Sequence, residues 1–135
     1  LAGANLLIKS LKIIETGNPK FKDQDHSQTT YAKKVDKSEA KIDWSFEANK
    51  VLSRIHGLSP IPGAWFEFEN ERYKVLKAEI TSKNGKPGYV LDENLTIACG
   101  LNSIKIIEIQ RQGKNRQTVK EFLLGKKIEK GAILV

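Results

Sequence analysis

The sequence predicts a mainly β fold, a small barrel of five or six short strands with a helix before the strands and a short helix near the end. From residue 64 onward, short stretches alternate polar and apolar residues with the period of two that strands show. Turn-forming residues separate these stretches. A barrel is favoured because closure leaves no unpaired edge strand.

An amphipathic helix is predicted ahead of this body, over residues 5–15. Its apolar side chains recur at spacings of three and four residues and fall near one face: Leu6, Leu7, Leu11 and Ile14. Gly17 and Pro19 end the helix. The next segment is polar and offers this face no partner. We therefore expect residues 1–17 to pack against a surface outside this chain or to mediate self-association.

Residues 18–44 are predicted to be a linker. They are poor in large apolar residues, and their turn formers follow no sustained period. Four lysines in this segment are nearly balanced by three acids: Lys33, Lys34, Lys37 and Lys41 against Asp36, Glu39 and Asp43. These residues alone favour a solvated stretch over a grip on an anion.

The helix before the strands is predicted to begin after Ser45, which is a favoured N-cap residue. Trp44, just before the cap, is expected to pack back on the helix. The inward positions are Ala48, Val51, Leu52 and Ile55. Gly57 can take the left-handed conformation that ends many helices, and Pro60 prevents continuation.

Seven short segments follow this helix. Turn candidates at residues 70–72 and at Asn84-Gly85 separate the first three predicted strands. Thr118 and Glu121 have the spacing of a capping box, and Gly125 follows as a helix end. The predicted segments are strands at 64–69, 73–80, 88–91, 95–99 and 104–110, a helix at 118–125 and a final strand at 132–135.

The charge of the chain is strongly positive. Its 135 residues include 23 basic and 16 acidic ones, for a formal net charge of +7. Residues 105–135 hold eight basic and three acidic residues, so the excess is concentrated there. A polyanion is a plausible partner for such a chain. A single cysteine, Cys99, permits no internal disulfide, and no apolar run reaches membrane-spanning length, which together favour the cytoplasm and no membrane contact.

Neither a catalytic nor a metal site is predicted. His26 and His56 have no cysteine or carboxylate at metal-ligand spacing, and a structural role is favoured for both. Cys99 lies in an apolar stretch and is interpreted as a small core residue. The chain has no phosphate-binding loop and no dinucleotide fingerprint, so no cofactor is expected in it.

The segment Gln110–Gln117 is the strongest binding candidate. It contains Arg111, Lys114 and Arg116, a central glycine and no acid, and it joins a strand to a capped helix. Amides and guanidinium groups can together contact phosphate and sugar, as an RNA-binding loop does. From the residues alone, a solvated loop that serves only solubility remains an alternative.

Four segments in this order carry a resemblance: "QTTYAKKVDKSEAKIDWS", "SRIHGLSPIPGAWF", "IEIQRQGKNRQTVKEFLLG" and "KGAILV". Together they resemble the carboxyl-terminal part of the methionyl-tRNA formyltransferase family. The runs Ile42–Ser45 and Pro60–Trp65 are the most specific. Ile61 departs mildly from the family, which usually has a bulky aromatic there. The resemblance implies that residues 1–17 are the last helix of a catalytic domain, 18–44 an interdomain linker, and 45–135 an OB-like β-barrel that binds tRNA.

The resemblance also implies a function. The parent enzyme transfers a formyl group from 10-formyltetrahydrofolate to methionine on initiator tRNA, in an amino-terminal domain whose catalytic residues are not in this chain. The chain is therefore expected to be inactive alone, to partner that domain and the tRNA, and to belong to a monomeric parent. The implied tRNA-binding residues are Lys33, Lys34, Lys37, Arg54, Lys105, Arg111, Lys114 and Arg116.

One alternative remains open. Sugar formyltransferases and formyltetrahydrofolate hydrolase or dehydrogenase enzymes share this domain type without binding tRNA. The basic loop and the basic last quarter of the chain favour the tRNA enzyme.

Overall fold

The amino-terminal part of the chain is a helix followed by irregular backbone. A computed structural model describes residues 2–135 and divides the chain into two compact units, residues 1–33 and 34–135. Helix α1 spans Ala2–Glu15, which confirms the predicted helix and extends it by three residues. None of its described residues is buried, and its leucines and isoleucines are about half exposed. A short 3-10 turn, His26–Gln28, interrupts the polar stretch after it.

The second unit is built on one antiparallel sheet. Its strands are β1 Ala64–Phe68, β2 Glu71–Thr81, β3 Thr96–Ala98, β4 Ser103–Arg111 and β5 Gln117–Thr118. Neighbouring strands are hydrogen-bonded in the order β1-β2-β4-β3, and the short β5 pairs with β4. This confirms the predicted mainly β fold.

A tight hairpin joins β1 to β2. Phe68 pairs with Glu71, which leaves Glu69 and Asn70 as a two-residue turn. Both have positive φ, 52° and 61°, as the turn type that matches strand twist requires. The turn predicted at 70–72 is therefore present, but it begins one residue earlier, at Glu69. Its short length fixes the register of the two strands that form the candidate site.

The strands predicted at 88–91 and 132–135 are wrong as regular strands. They form only isolated bridges, Tyr89 with Ile133 and Val90 with Ile97. Glycine and proline flank the first segment and leave too few consecutive residues for a ladder.

These bridge segments nevertheless complete a circuit of backbone hydrogen bonds. Segment 88–91 bonds to β3, and residues 131–134 bond to segment 88–91 on its other side. Val135 and Glu67 then exchange two backbone hydrogen bonds on the free edge of β1. Both edges of the four-strand path are thereby covered, as in a small barrel.

Helix α2 spans Ala48–Leu58 and differs from its prediction at both ends. Glu47 occupies the N-cap position and makes no capping hydrogen bond with its side chain. Ser45, the predicted N-cap, lies two residues earlier, and its hydroxyl donates to Asp43 at 2.6 Å. Gly57 is not a left-handed cap but an ordinary helical residue, and the helix ends one residue later before extended Ser59.

Residues 34–44 belong to the second compact unit, although composition predicts linker through residue 44. Ala40, Ile42 and Trp44 are buried. The Ile42 amide donates to the Trp65 carbonyl at 2.7 Å, which joins this segment to the outer edge of β1. The barrel body therefore includes an irregular amino-terminal strap.

Aromatic side chains connect the parts of the core. Phe66 is fully buried, with its ring centroid 6.1 Å from Trp44 and 5.5 Å from Tyr73. Tyr73 meets Phe122 edge-on at 5.6 Å. Phe122 comes from helix α3, Val119–Gly125, whose Thr118 N-cap makes the predicted capping box with Glu121. No helix among residues 2–135 has the length and apolarity to cross a membrane.

Candidate nucleic-acid interface

A groove on the second unit gathers positive charge. This basic groove has a volume of about 390 Å³, a mainly apolar floor and no acidic residue in its lining. Its basic residues are Lys37, Arg72, Lys74 and Arg111. Its other lining residues are Ala40, Ile61, Pro62, Trp65, Gln110, Gln112 and Gly113. Glu67 and Glu71 pair with Arg72 and Arg111 from outside this lining, and the remaining excess of positive charge favours an anionic ligand.

Trp65 forms the rigid part of the groove. Its side chain is only 8% exposed, and its indole Nε1 donates to the Lys37 carbonyl at 3.1 Å. The Arg72 guanidinium lies over the indole with its carbon 3.8 Å from the ring centroid, a cation–π contact. Arg72 also pairs with Glu67 at 3.4 Å, so the guanidinium is held from two directions.

Lys74 reaches the groove from β2, where it pairs across the hairpin with Trp65. Its aliphatic stem lies against Gly63, so close that a Cβ on Gly63 would be 2.9 Å from Lys74 Cδ. Gly63 also has a φ of +81°, which other residues rarely adopt. Within residues 2–135, no carboxylate forms an ion pair with Lys74 or Lys37.

Arg111 is a member of the predicted set that lines the groove and is held by an ion pair. It ends β4 and donates to Glu71, which also accepts a 2.6 Å hydrogen bond from the Tyr73 hydroxyl. These bonds, first from Tyr73 and then from Arg111, lower the Glu71 pKa. Burial, and secondarily the bond to Glu71, raises the pKa of Tyr73 to about 12. Arg111 is thus oriented beside the groove while part of its charge is balanced.

The basic loop continues from Arg111. The Lys114 amide donates to the Arg111 carbonyl at 3.0 Å, and Gln110 Nε2 donates to the Lys114 carbonyl at 2.8 Å. Gly113 has a φ of +71°, which permits this tight turn. Lys114 and Arg116 are exposed, and neither forms an ion pair within the described residues. The loop therefore offers two free cations next to the groove.

The remaining predicted residues lie elsewhere. Arg54 donates to the carbonyls of Glu39 and Lys41, at 2.6 and 3.3 Å, so it holds the strap against α2. Lys105 pairs with Glu79 at 3.0 Å across β2 and β4. Neither lines the groove. Lys34 is exposed at the start of the second unit, and Lys33 belongs to the first unit.

The histidines and the cysteine of the described chain, residues 2–135, do not form a metal site. Within residues 2–135, no three His, Cys, Asp or Glu side chains lie close enough to hold a metal ion. His26 and His56 are both exposed. Cys99 is a buried core residue, as predicted, and burial raises the pKa of its thiol to about 11. A thiol in this state is unreactive.

Sequence reasoning missed Arg72 and Lys74. Both stand in a strand whose alternation suggests an ordinary solvent face. The signal that could have found them is the hairpin itself, because a two-residue turn at 69–70 places Lys74 opposite Trp65. A tryptophan with cations on the neighbouring strand can form cation–π contacts, and such groups also bind nucleic-acid bases and phosphates.

Comparisons with known proteins agree on one family. Residues 34–127 match the family described as formyl transferase, C-terminal domain. The chain is 47% identical over 134 residues to a methionyl-tRNA formyltransferase of Bradyrhizobium diazoefficiens and 48% identical over 127 residues to that of Pelagibacter ubique. These matches cover 96% and 93% of this chain but 43% and 41% of the relatives, so the chain spans about two fifths of their length.

Solved structures give a more distant match. HypX from Aquifex aeolicus in complex with tetrahydrofolic acid aligns with a TM-score of 0.71 at 20% identity. The match covers 94% of this chain and 24% of that protein. At this identity the likeness concerns the fold alone.

Proposed function

The chain belongs to the family of formyl transferase carboxyl-terminal domains, and from this premise we propose that it is the tRNA-binding module of a methionyl-tRNA formyltransferase. The parent enzyme would formylate methionine on initiator tRNA with 10-formyltetrahydrofolate, in translation initiation in the cytoplasm. The reaction would take place in a separate amino-terminal catalytic domain, and this chain alone would be inactive and hold no cofactor.

The observation that carries this proposal is the basic groove together with the basic loop that continues from Arg111, Gln112 and Gly113 in its lining. The loop cations Lys114 and Arg116 are free of ion pairs within the described chain, and so are Lys37 and Lys74 in the groove. Free cations on a fixed scaffold favour contacts to phosphate, which set the register of an RNA without reading its sequence.

The contribution to catalysis would be positional. A tRNA held on this surface would present its acceptor end to the catalytic domain in a limited set of orientations. That restriction lowers the entropic part of the barrier for attack of the methionyl amine on the formyl carbon. Arg111 suits this role because the Glu71 carboxylate already orients it, so less side-chain freedom is lost on binding.

Salt-dependent tRNA binding tests the proposal. The affinity of this chain for tRNA should fall linearly, in logarithmic terms, with salt concentration, and each phosphate contact contributes about 0.9 to the slope. Replacing Arg111, Lys114 and Arg116 by alanine should reduce the slope by about 2 rather than 3, because Arg111 is already paired with Glu71.

The matched control removes the same charge elsewhere. Lys50, Lys86 and Lys130 are exposed and do not line the groove, so their joint replacement by alanine should leave most of the slope intact. Equal slopes for the two triple variants would remove the loop from the interface. Binding no stronger than that of an unrelated basic protein of equal charge would favour the appendage of a sugar or folate enzyme.

A further inference from the structure

We propose that the basic groove holds one unpaired nucleotide of the bound RNA, with its base stacked on the Arg72 guanidinium and its phosphate at Lys37 and Lys74. This inference rests on the proposed function and goes beyond it. Phosphate contacts alone would read neither the identity of a base nor whether that base is unstacked. A nucleotide pocket would instead select an RNA that presents an unstacked base at this point.

The stacking surface is the layer of Arg72 on Trp65. The indole is fixed below by its hydrogen bond to the Lys37 carbonyl, and the guanidinium lies 3.8 Å above its ring. Glu67 restrains the guanidinium from the side. The Arg72 side chain remains 43% exposed, so it is not closed over by other groups. Unpaired RNA bases stack on guanidinium planes of this kind as they do on aromatic rings.

The size and lining of the groove fit a nucleotide better than a simple anion. A volume of about 390 Å³ lies in the range of small-molecule pockets and exceeds what a phosphate fills. Ile61 and Pro62 supply apolar surface, and Ile61 is 86% exposed. An inorganic anion would leave this apolar surface in water, whereas a base would cover it.

The polar groups are arranged to complete the recognition. Lys37 and Lys74 supply ammonium groups without competing carboxylates in the described chain, as phosphate binding requires. Gln112 and Gln110 also line the groove; the Gln112 amide and the Gln110 carbonyl oxygen can bond to the edge of a base. A base inside a helix has both faces covered by its neighbours, so the ligand is an unpaired, unstacked nucleotide.

The test is titration of the intact chain with 5′-mononucleotides and, separately, with ribose 5-phosphate. Binding is followed by the amide and indole NMR signals, in which Trp65 is distinguished from Trp44. Nucleotides should shift the Trp65 signals and bind at least several-fold more tightly than ribose 5-phosphate. Equal affinity for both probes would reduce the groove to an anion site and overturn the proposal.

Two variants separate base stacking from charge. Arg72→Lys keeps the cation but removes the plane, so nucleotide affinity should fall about tenfold while ribose 5-phosphate binding stays unchanged. Ile61→Glu should abolish nucleotide binding through repulsion of the phosphate and loss of the apolar floor. Because Ile61 is almost fully exposed, this variant should fold normally. Unaltered nucleotide affinity in both variants would refute the site.

The two proposals fail in distinguishable ways. If the chain binds tRNA with the expected salt slope but nucleotides leave the Trp65 signals unmoved, the nucleotide pocket is wrong and the tRNA module stands. If nucleotides bind in the groove but tRNA binding is no stronger than that of a charge-matched protein, the tRNA function is wrong.

Discussion

Replacing Gly57 with alanine tests whether Gly57 is a helical residue of α2 or a left-handed cap. The two structures predict opposite signs for the change in unfolding free energy. Gly57 lies within Ala48–Leu58 and does not have positive φ. A methyl group there would meet no atom within 4 Å. Alanine in a helix is about 0.5 to 1 kcal/mol more favourable than glycine, so we expect Gly57→Ala to stabilise the chain by that amount. A left-handed cap would instead lose about 1 to 2 kcal/mol.

Gly131 supplies the matched control for this substitution. It too has no neighbour within 4 Å of an added Cβ, but its φ is +88°. Gly131→Ala should therefore destabilise the chain by about 1 to 2 kcal/mol. Urea unfolding followed by tryptophan fluorescence measures both changes, and the slope of free energy against urea should stay constant. A midpoint lowered by Gly57→Ala would refute the helical assignment.

Two further substitutions probe the turns that hold the sheet. Burial raises the pKa of Asp92, but bonds from Lys83 and two backbone amides outweigh it and lower the pKa to about 2. The stabilisation from the Asp92 carboxylate is therefore fully present above pH 4 and is lost as pH falls through 2. Asp92→Asn should cost about 1 to 2 kcal/mol at pH 7, after allowance for solvent screening, and almost nothing below pH 2. A constant difference in urea stability across this range would contradict that cause. Gly100→Ala would place a methyl carbon 2.1 Å from the Ser45 carbonyl oxygen and should cost more than about 2 kcal/mol, and an unchanged urea midpoint would exclude that close approach.

Local signals in the sequence predicted local structure well. The capping box of Thr118 and Glu121 acts within one turn, and the structure contains both of its hydrogen bonds. The end of α2 was less predictable, because glycine permits both a left-handed cap and a helical residue. The segments 88–91 and 132–135 are held by each other across a long stretch of chain. No local pattern reveals such pairing.

In the candidate site, too, residues that are close in sequence were predictable, and residues that only folding brings together were not. Arg111, Lys114 and Arg116 are close in sequence, so one loop necessarily brings them together. Arg72 and Lys74 enter the groove through strand pairing with β1, which composition alone does not reveal. Arg54 donates to backbone carbonyls of the strap. These carbonyls lie near Arg54 because the chain folds back, and their spacing in the sequence does not indicate the contact.

The circuit of backbone hydrogen bonds has a consequence for the order in which this unit is built. Its last link joins Val135 to β1, whose residues are synthesised much earlier. During translation, the strap can already cover Trp65 on the outer edge of β1, but Glu67 and the outer edge of segment 88–91 stay uncovered until residues 131–135 have left the ribosome. Such open strand edges are where nascent chains pair wrongly, so we expect this unit to depend on chaperone cover during that interval.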